Sequence, residues 1–152
     1  MKPMYINGQW VTSSDGQTIE VYNPATEELL DTVPNGSASD AVKAIQAAKN
    51  AYNDWRWVTA YERADMLQEA ANKLGNCRDE VVELLTLEEG KAISENEEEV
   101  EWVIGTLKYY AGLIRNQRGR VLAPADRSNS TLSLKSHLGW WPVLCPLTIR
   151  CC

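Results

Sequence analysis

At Ser37 the spacing of apolar residues changes from the two-residue alternation of strands to the roughly 3.6-residue repeat of helices. The helical pattern then holds as far as Gly119. This one switch dictates an order of strands, then helices, then strands. Before it, Tyr5-Ile6 and Gln9-Trp10-Val11 flank Asn7-Gly8, a two-residue hairpin signal because both central positions tolerate positive φ. Ser13 to Gly16 makes a turn, and Thr18 to Tyr22 alternates faces as a half-buried strand does. Asn23-Pro24-Ala25-Thr26 interrupts it, and Leu29 to Val33 is a further extended piece ended by Pro34-Asn35-Gly36.

Four helices are predicted after the switch. Ser39 is placed to cap the first, in which Val42, Ile45, Ala48, Tyr52 and Trp55 share one face. Thr59-Ala60-Tyr61-Glu62 is a capping box, in which the hydroxyl accepts from one free N–H and the carboxylate from another. It starts a helix with Ala64, Leu67, Ala71 and Leu74 inward, ended at Gly75. Asn76 starts the third, through Val81, Leu84, Leu85 and Leu87, stopping at Gly90. The longest runs from Ser94 to Gln117, with Val100, Val103, Ile104, Leu107, Tyr110, Ala111 and Ile114 as its apolar stripe and Gly119 as its C-cap. Arg120 to Ala123 and Thr131 to Lys135 read as two strands around the turn-rich Pro124 to Ser130.

Charge and motifs narrow the chemistry. The net charge is −6 and the longest basic cluster is Arg115 to Arg120, which argues against a nucleic-acid footprint. No apolar run nears the ~18 to 20 residues that span a bilayer. MKPMYINGQW has no apolar core to serve as a signal peptide. The expected location is cytoplasmic, where cysteines stay reduced. The acidic run Glu95 to Glu101 lacks the loop spacing and glycine of an EF-hand, and reads as a solvated face in the first turns of a helix, where the dipole favours it. The one histidine is His137, and neither G-x-S-x-G, G-x-G-x-x-G nor a P-loop occurs. Tyr5 to Trp10 and Trp55-Arg56-Trp57 can stack a ligand, although core and hinge packing is the commoner use of such aromatics. From the residues alone this is a scaffold: no catalytic, cofactor-binding or metal-binding residue is assigned.

A series of motifs then carries a resemblance. YINGQWV, VYNPATEELLDTVP, SDAVKAIQAAKNAYNDW, ERADMLQEAANKL, ELLTLEEGKAISE, EVEWVIGTLKYYAG and RG follow one another in order. Together they resemble the opening of an NAD(P)-dependent aldehyde dehydrogenase, over Tyr5 to Leu134. The resemblance implies an α+β fragment of an α/β fold. Residues 1–36 would be its N-terminal strands, 37–119 the helical part of the cofactor-binding domain, and 120–135 the start of the oligomerisation arm. The family reaction it implies is oxidation of an aldehyde to an acid by NAD or NADP. The family's catalytic cysteine, general-base glutamate, oxyanion-hole asparagine and cofactor-binding lysine and glycine loop lie beyond the stretch that matches. No site residue is carried over, and this chain is expected to be truncated, inactive and without a cofactor of its own. Faces left uncovered, such as Val100-Val103-Leu107-Ile114, and an open edge near Thr131 to Leu134 predict a homo-oligomer. The alternative is a self-associating helical interaction module with no enzymatic role.

Residues 136–152 stand apart. LGWWPVLCPLTIRCC holds two adjacent tryptophans, two prolines, three cysteines and no acidic group. A structural zinc site wants four ligands with paired C-x₂₋₄-C spacing, which Cys145, Cys151 and Cys152 do not offer. Thiol redox chemistry wants C-x-x-C, also absent. The family continues here with a segment like K-E-P-L-G-V-V-x-x-I-x-P-W-N. Tryptophan has one codon, so Trp140-Trp141-Pro142 is encoded TGGTGGCCN. With permitted codons, Lys135 to Cys152 read from the third base becomes E-P-L-G-V-V-A-G-I-V-P-L-D-N-T-L-L. The tail therefore reads as a frameshift near Lys135, with Val143 to Cys145 and Thr148 to Arg150 able to add a strand that Pro142 and Pro146 confine to an edge. The encoding DNA checks this. A cysteine-bearing remainder in a shifted frame is expected downstream, and unrelated sequence there would sink it; metal analysis of the purified protein should find no zinc.

Overall fold

The computed structural model describes residues 2–123, 131–135 and 139. Within them the chain runs β1 (Met4–Ile6), β2 (Gln9–Val11), β3 (Thr18–Tyr22), β4 (Leu29–Pro34), α1 (Ala38–Trp55), α2 (Ala60–Asn76), α3 (Arg78–Glu89), α4 (Ile93–Arg115), β5 (Arg120–Leu122) and β6 (Thr131–Ser133). The predicted order of strands, helices and strands is the order found. Consecutive strands pair into three separate antiparallel ribbons, β1-β2, β3-β4 and β5-β6. The strand expectations for residues 143–150 lie outside the described residues.

The turns explain the ribbons. Asn7 and Gly8 have φ of 53° and 77°, the two positive values that a tight hairpin of right-handed twist requires. They set Met4 opposite Val11 and Ile6 opposite Gln9. In the second ribbon Thr18 faces Pro34, and the register shifts between Val21 and Tyr22, just before the Asn23 turn. There the Asn23 carboxamide oxygen accepts from the Ala25 N–H at 2.9 Å, and Glu27 takes a positive φ of 60°.

Helix boundaries differ from expectation in ways that local hydrogen bonding explains. Ser37, not Ser39, caps α1, because Asp40 stands three residues after it and completes a reciprocal box: the Ser37 side chain accepts from the Asp40 N–H while the Asp40 carboxylate accepts from the Ser37 N–H. The Thr59–Glu62 box starts α2 as expected. That helix passes through Gly75 to Asn76, and Cys77 rather than Asn76 is the junction with α3. Gly90 closes α3 in the left-handed conformation, as expected. Asn116 ends α4, not Gly119. Gly119 instead lies where β5 and β6 meet, and a Cβ on it would come within 2.6 Å of the Ser133 carbonyl oxygen.

The core sits between α2, α3 and α4. Ala71, Val81, Val82, Leu85, Val100 and Ile104 are buried together, with Leu74, Cys77 and Leu107 packed against them. The expected stripe of α4 is half right. Val100, Ile104 and Ala111 are buried and Leu107 and Ile114 partly so, while Val103 and Tyr110 are exposed. The set Val100-Val103-Leu107-Ile114 is therefore not a bare face, because α2 and α3 cover most of it. The expected inner face of α1 is the opposite case. Val42 is 65% exposed, and Ile45 and Trp55 are also exposed, because among the described residues no other helix packs along this face and only the Arg63 guanidinium of α2 reaches Trp55.

Gly90 ties the strand layer to the helices. Its φ is +71°, and a Cβ there would stand 2.7 Å from the Pro24 ring. Gly90→Ala therefore incurs both a left-handed backbone penalty and a clash with Pro24. We expect it to cost about 1–3 kcal/mol in urea-unfolding free energy, and an unchanged midpoint would refute this packing.

Candidate functional site

The best-formed polar cluster lies where the turn after β2 meets the start of α1. Asp40, in the first turn of α1, is only 3% exposed. Its carboxylate accepts from the Ser14 N–H at 3.0 Å, the Ser14 hydroxyl, the Ser37 N–H at 3.1 Å and the Ser37 hydroxyl at 2.8 Å. The Lys43 ammonium donates to the Ser14 hydroxyl at 2.6 Å and lies 3.3 Å from Asp40. Next to it the Ser13 hydroxyl bridges the Asp15 carboxylate and the Asn35 carbonyl, each at 2.6 Å. The group borders an open cleft of about 590 Å³ between the first hairpin and α1, walled by Asn7, Gln9, Val11, Val42 and Gln46.

This geometry holds rather than reacts. The Ser14 N–H above all, then the Ser14 and Ser37 hydroxyls, keep the Asp40 carboxyl far below the usual carboxylate range. An acid with every lone pair engaged cannot take a proton from a substrate near neutral pH. The cleft is therefore bordered by a structural clamp, one that pins the strand layer to the start of the helices.

The features singled out in the sequence also find structural partners. In the acidic run, Arg78 bonds Glu101 at 2.8 Å and lies 3.8 Å from Glu97, while Lys91 bonds Glu99 at 2.5 Å. These pairs raise the Arg78 and Lys91 pKa values, through Glu101 and Glu99 first. Among the described residues no group of three His, Cys, Asp or Glu is placed to hold a metal. The Tyr5 and Trp10 rings meet edge to face at 5.0 Å, and the Arg63 and Arg56 guanidiniums cover Trp55 and Trp57 at 5.1 and 4.7 Å. Both aromatic groups thus pack within the chain. The Cys77 thiol donates to the Lys73 carbonyl at 3.3 Å, at the α2–α3 junction. His137, Cys145, Cys151 and Cys152 lie outside the described residues. Sequence reasoning missed Asn96, which is fully buried and donates to the Thr86 hydroxyl at 3.0 Å. An asparagine amid glutamates gives no signal of burial.

With no reacting group assembled among the described residues, the comparisons with known proteins decide the family. A sequence model of the aldehyde dehydrogenase family matches residues 10–147. The chain belongs to that family. Among similar aldehyde dehydrogenases, the NADP-dependent D-glyceraldehyde dehydrogenase of Picrophilus torridus is 35% identical over 136 residues, which is 90% of this chain and 28% of the relative. An NADP-dependent succinate-semialdehyde dehydrogenase of Schizosaccharomyces pombe is 34% identical over 93% of this chain and 29% of the relative. Among solved structures, betaine aldehyde dehydrogenase of Staphylococcus aureus in complex with NAD⁺ superposes with a TM-score of 0.82 at 29% identity, covering 85% of this chain and 26% of that one. The chain thus spans between a quarter and three-tenths of the length of these aldehyde dehydrogenases, and its strands and helices have the arrangement of their N-terminal part. No helix among the described residues is long and apolar enough to cross a membrane.

The clamp has a pH signature. A carboxyl depressed in the folded chain adds stability that is full above its unfolded value, near 3.8, and is lost as pH falls below that. Asp40→Ala should lower the thermal midpoint at pH 7 and flatten its decline below about pH 4. A midpoint unchanged at pH 7 would remove the clamp from the account.

Proposed function

We propose that these 152 residues serve as the N-terminal scaffold of an NAD(P)-dependent aldehyde dehydrogenase subunit and do not oxidise aldehydes by themselves. The observation that carries this reading is the family match over residues 10–147 in a chain that spans only 28% of a 35%-identical relative. In this reading residues 1–36 are the opening strands, 37–119 the helical part of the cofactor-binding domain and 120–135 the first strands of the oligomerisation arm. The protein works in the cytoplasm, and the exposed faces of α1 and α4 receive the remainder of a full-length subunit.

The starts of α1 and α2 do not suit the pyrophosphate of a dinucleotide. A pyrophosphate is commonly held by free N–H groups at a helix N-terminus. The boxes at α1 and α2 already fill that position with the carboxylates of Asp40 and Glu62. A phosphate at either would meet like charge, which supports a reading in which NAD(P) is held by other parts of the family fold. Residues 136–147 fall within the family match in the written frame, beyond Lys135. That favours ordinary family sequence there and weighs against a change of frame at Lys135.

A second reading is favoured by the amount of bare apolar surface: the chain associates with itself, through helix faces and arm strands. Exposed patches of this kind drive association.

Purified protein of verified mass, mixed with NAD⁺ or NADP⁺ and a panel of aldehydes, should give no absorbance from reduced cofactor. Sustained turnover would overturn the scaffold reading.

A further inference from the structure

An asparagine followed by glycine loses its carboxamide more easily than other asparagines, because no Cβ on the next residue shields the backbone nitrogen that attacks it. The chain has two such pairs, Asn7-Gly8 and Asn35-Gly36, and both asparagines are exposed. The fold treats them differently. Asn35 is held at three points: its N–H donates to the Gln17 carbonyl at 2.8 Å, its carbonyl accepts from the Ser13 hydroxyl at 2.6 Å, and its carboxamide donates to the Gln17 side chain at 3.5 Å. Gly36 lies against Met4, whose sulfur would be 3.0 Å from a Cβ there. Asn7 has no side-chain hydrogen bond among the described residues. Gly8 stands in nearly open space, where a Cβ would meet only the Tyr5 hydroxyl, at 3.9 Å.

The two ribbons also differ in strength. β1 and β2 are three residues each and form a ladder only with each other. A two-stranded hairpin is marginal in water, and such a segment opens locally far more often than the whole fold does. Asn35 instead follows the six residues of β4 and leads directly into the Ser37–Asp40 box.

We propose that Asn7 is a site of spontaneous covalent modification, converted through a cyclic imide when the first ribbon opens, and that Asn35 is protected. The Gly8 nitrogen gives up its proton and attacks the Asn7 Cγ. The N–Cγ bond forms, the Cγ–Nδ2 bond breaks, and the nitrogen leaves as ammonia with that proton. Water then opens the ring at either carbonyl, giving aspartate or an isoaspartate whose main chain runs through Cγ. Isoaspartate adds a methylene to a two-residue turn, so the register that sets Met4 opposite Val11 and Ile6 opposite Gln9 is lost. Either product brings a new carboxylate to the cleft that Asn7 and Lys43 both line. The turn is part of neither the α1 nor the α4 face, so covering those faces does not by itself bury it.

The test is incubation of the 152-residue chain at mildly alkaline pH, followed by cleavage after glutamate and mass spectrometry. Cleavage puts Asn7 in a peptide that ends at Glu20 and Asn35 in one that begins at Leu29. In the folded chain the amide-to-acid mass change should appear on the order of tenfold faster at Asn7, because two main-chain hydrogen bonds must open to release Asn35. In urea the two sites should convert at similar rates. Ser13→Ala, which removes the bond to the Asn35 carbonyl, should speed Asn35 and leave Asn7 unchanged. Fragmentation of the Asn7 peptide should show isoaspartate beside aspartate. Equal rates in the folded chain, faster conversion at Asn35, or an Asn7 that stays intact while both sites convert in urea would each overturn the proposal. Aspartate without isoaspartate would overturn the imide route.

Discussion

The seam between α2 and α4 is the contact on which the rest of the structure depends. Ala64 and Ala71 have no exposed surface, and they offer α4 only methyl groups. Short side chains at a helix crossing let the axes come near, so Ile104 reaches Gly75 across the gap, its Cδ1 atom 4.0 Å from where a Cβ would be. At the other end Arg115 of α4 is paired with Asp65 of α2, which fixes the two helices as antiparallel. Once they are set, α3 has one place to lie, where Val81, Val82 and Leu85 close the core over Val100 and Ile104.

Polar groups then decide what the apolar core leaves open. The acidic start of α4 would repel itself and the C-terminal end of α3 if left alone. Arg78, one residue past the α2–α3 junction, and Lys91, just past Gly90, stand among those carboxylates and offset them. The acidic run Glu95 to Glu101 is thus answered by cations of the chain itself. Asp40 plays the matching part at the other end of the helical layer, where it caps α1 and holds the Ser14 turn in the same set of hydrogen bonds.

What the sequence made legible was whatever depends on neighbours along the chain. The Asn7-Gly8 hairpin, the Thr59–Glu62 box and the Gly90 stop each arise from residues within a few positions of one another, and each was found where expected. The Ser37–Asp40 box was equally local but was missed, because Ser39 offers a competing hydroxyl and aspartate stands where glutamate is usual. Long-range choices left no trace in the pattern. Which half of the α4 stripe is inward depends on α2 and α3, so Val103 and Tyr110 read as core and are not. The faces of α1 looked inward because they are apolar, yet apolar spacing says only that a face wants cover, not that this chain supplies it. The family was legible from ordered motifs, while the Asp40 clamp joins residues 26 positions apart and carried no signal.

The Gly90–Pro24 contact bears on how such sequences can be exchanged between relatives. The opening strands look like a detachable cassette, since β1-β2 and β3-β4 make ladders only with themselves. They are not one. The Pro24 ring occupies space that only a residue without a Cβ at position 90 leaves free. A chimera joined between residues 36 and 37 keeps both ribbons intact and still divides two matched pairs, Pro24 from Gly90 and Ser14 from Asp40. Its first 36 residues and its α3–α4 corner would have to come from parents that solved the same steric problem in the same way, so crossover points tolerated by the backbone are vetoed by one ring and one missing methyl.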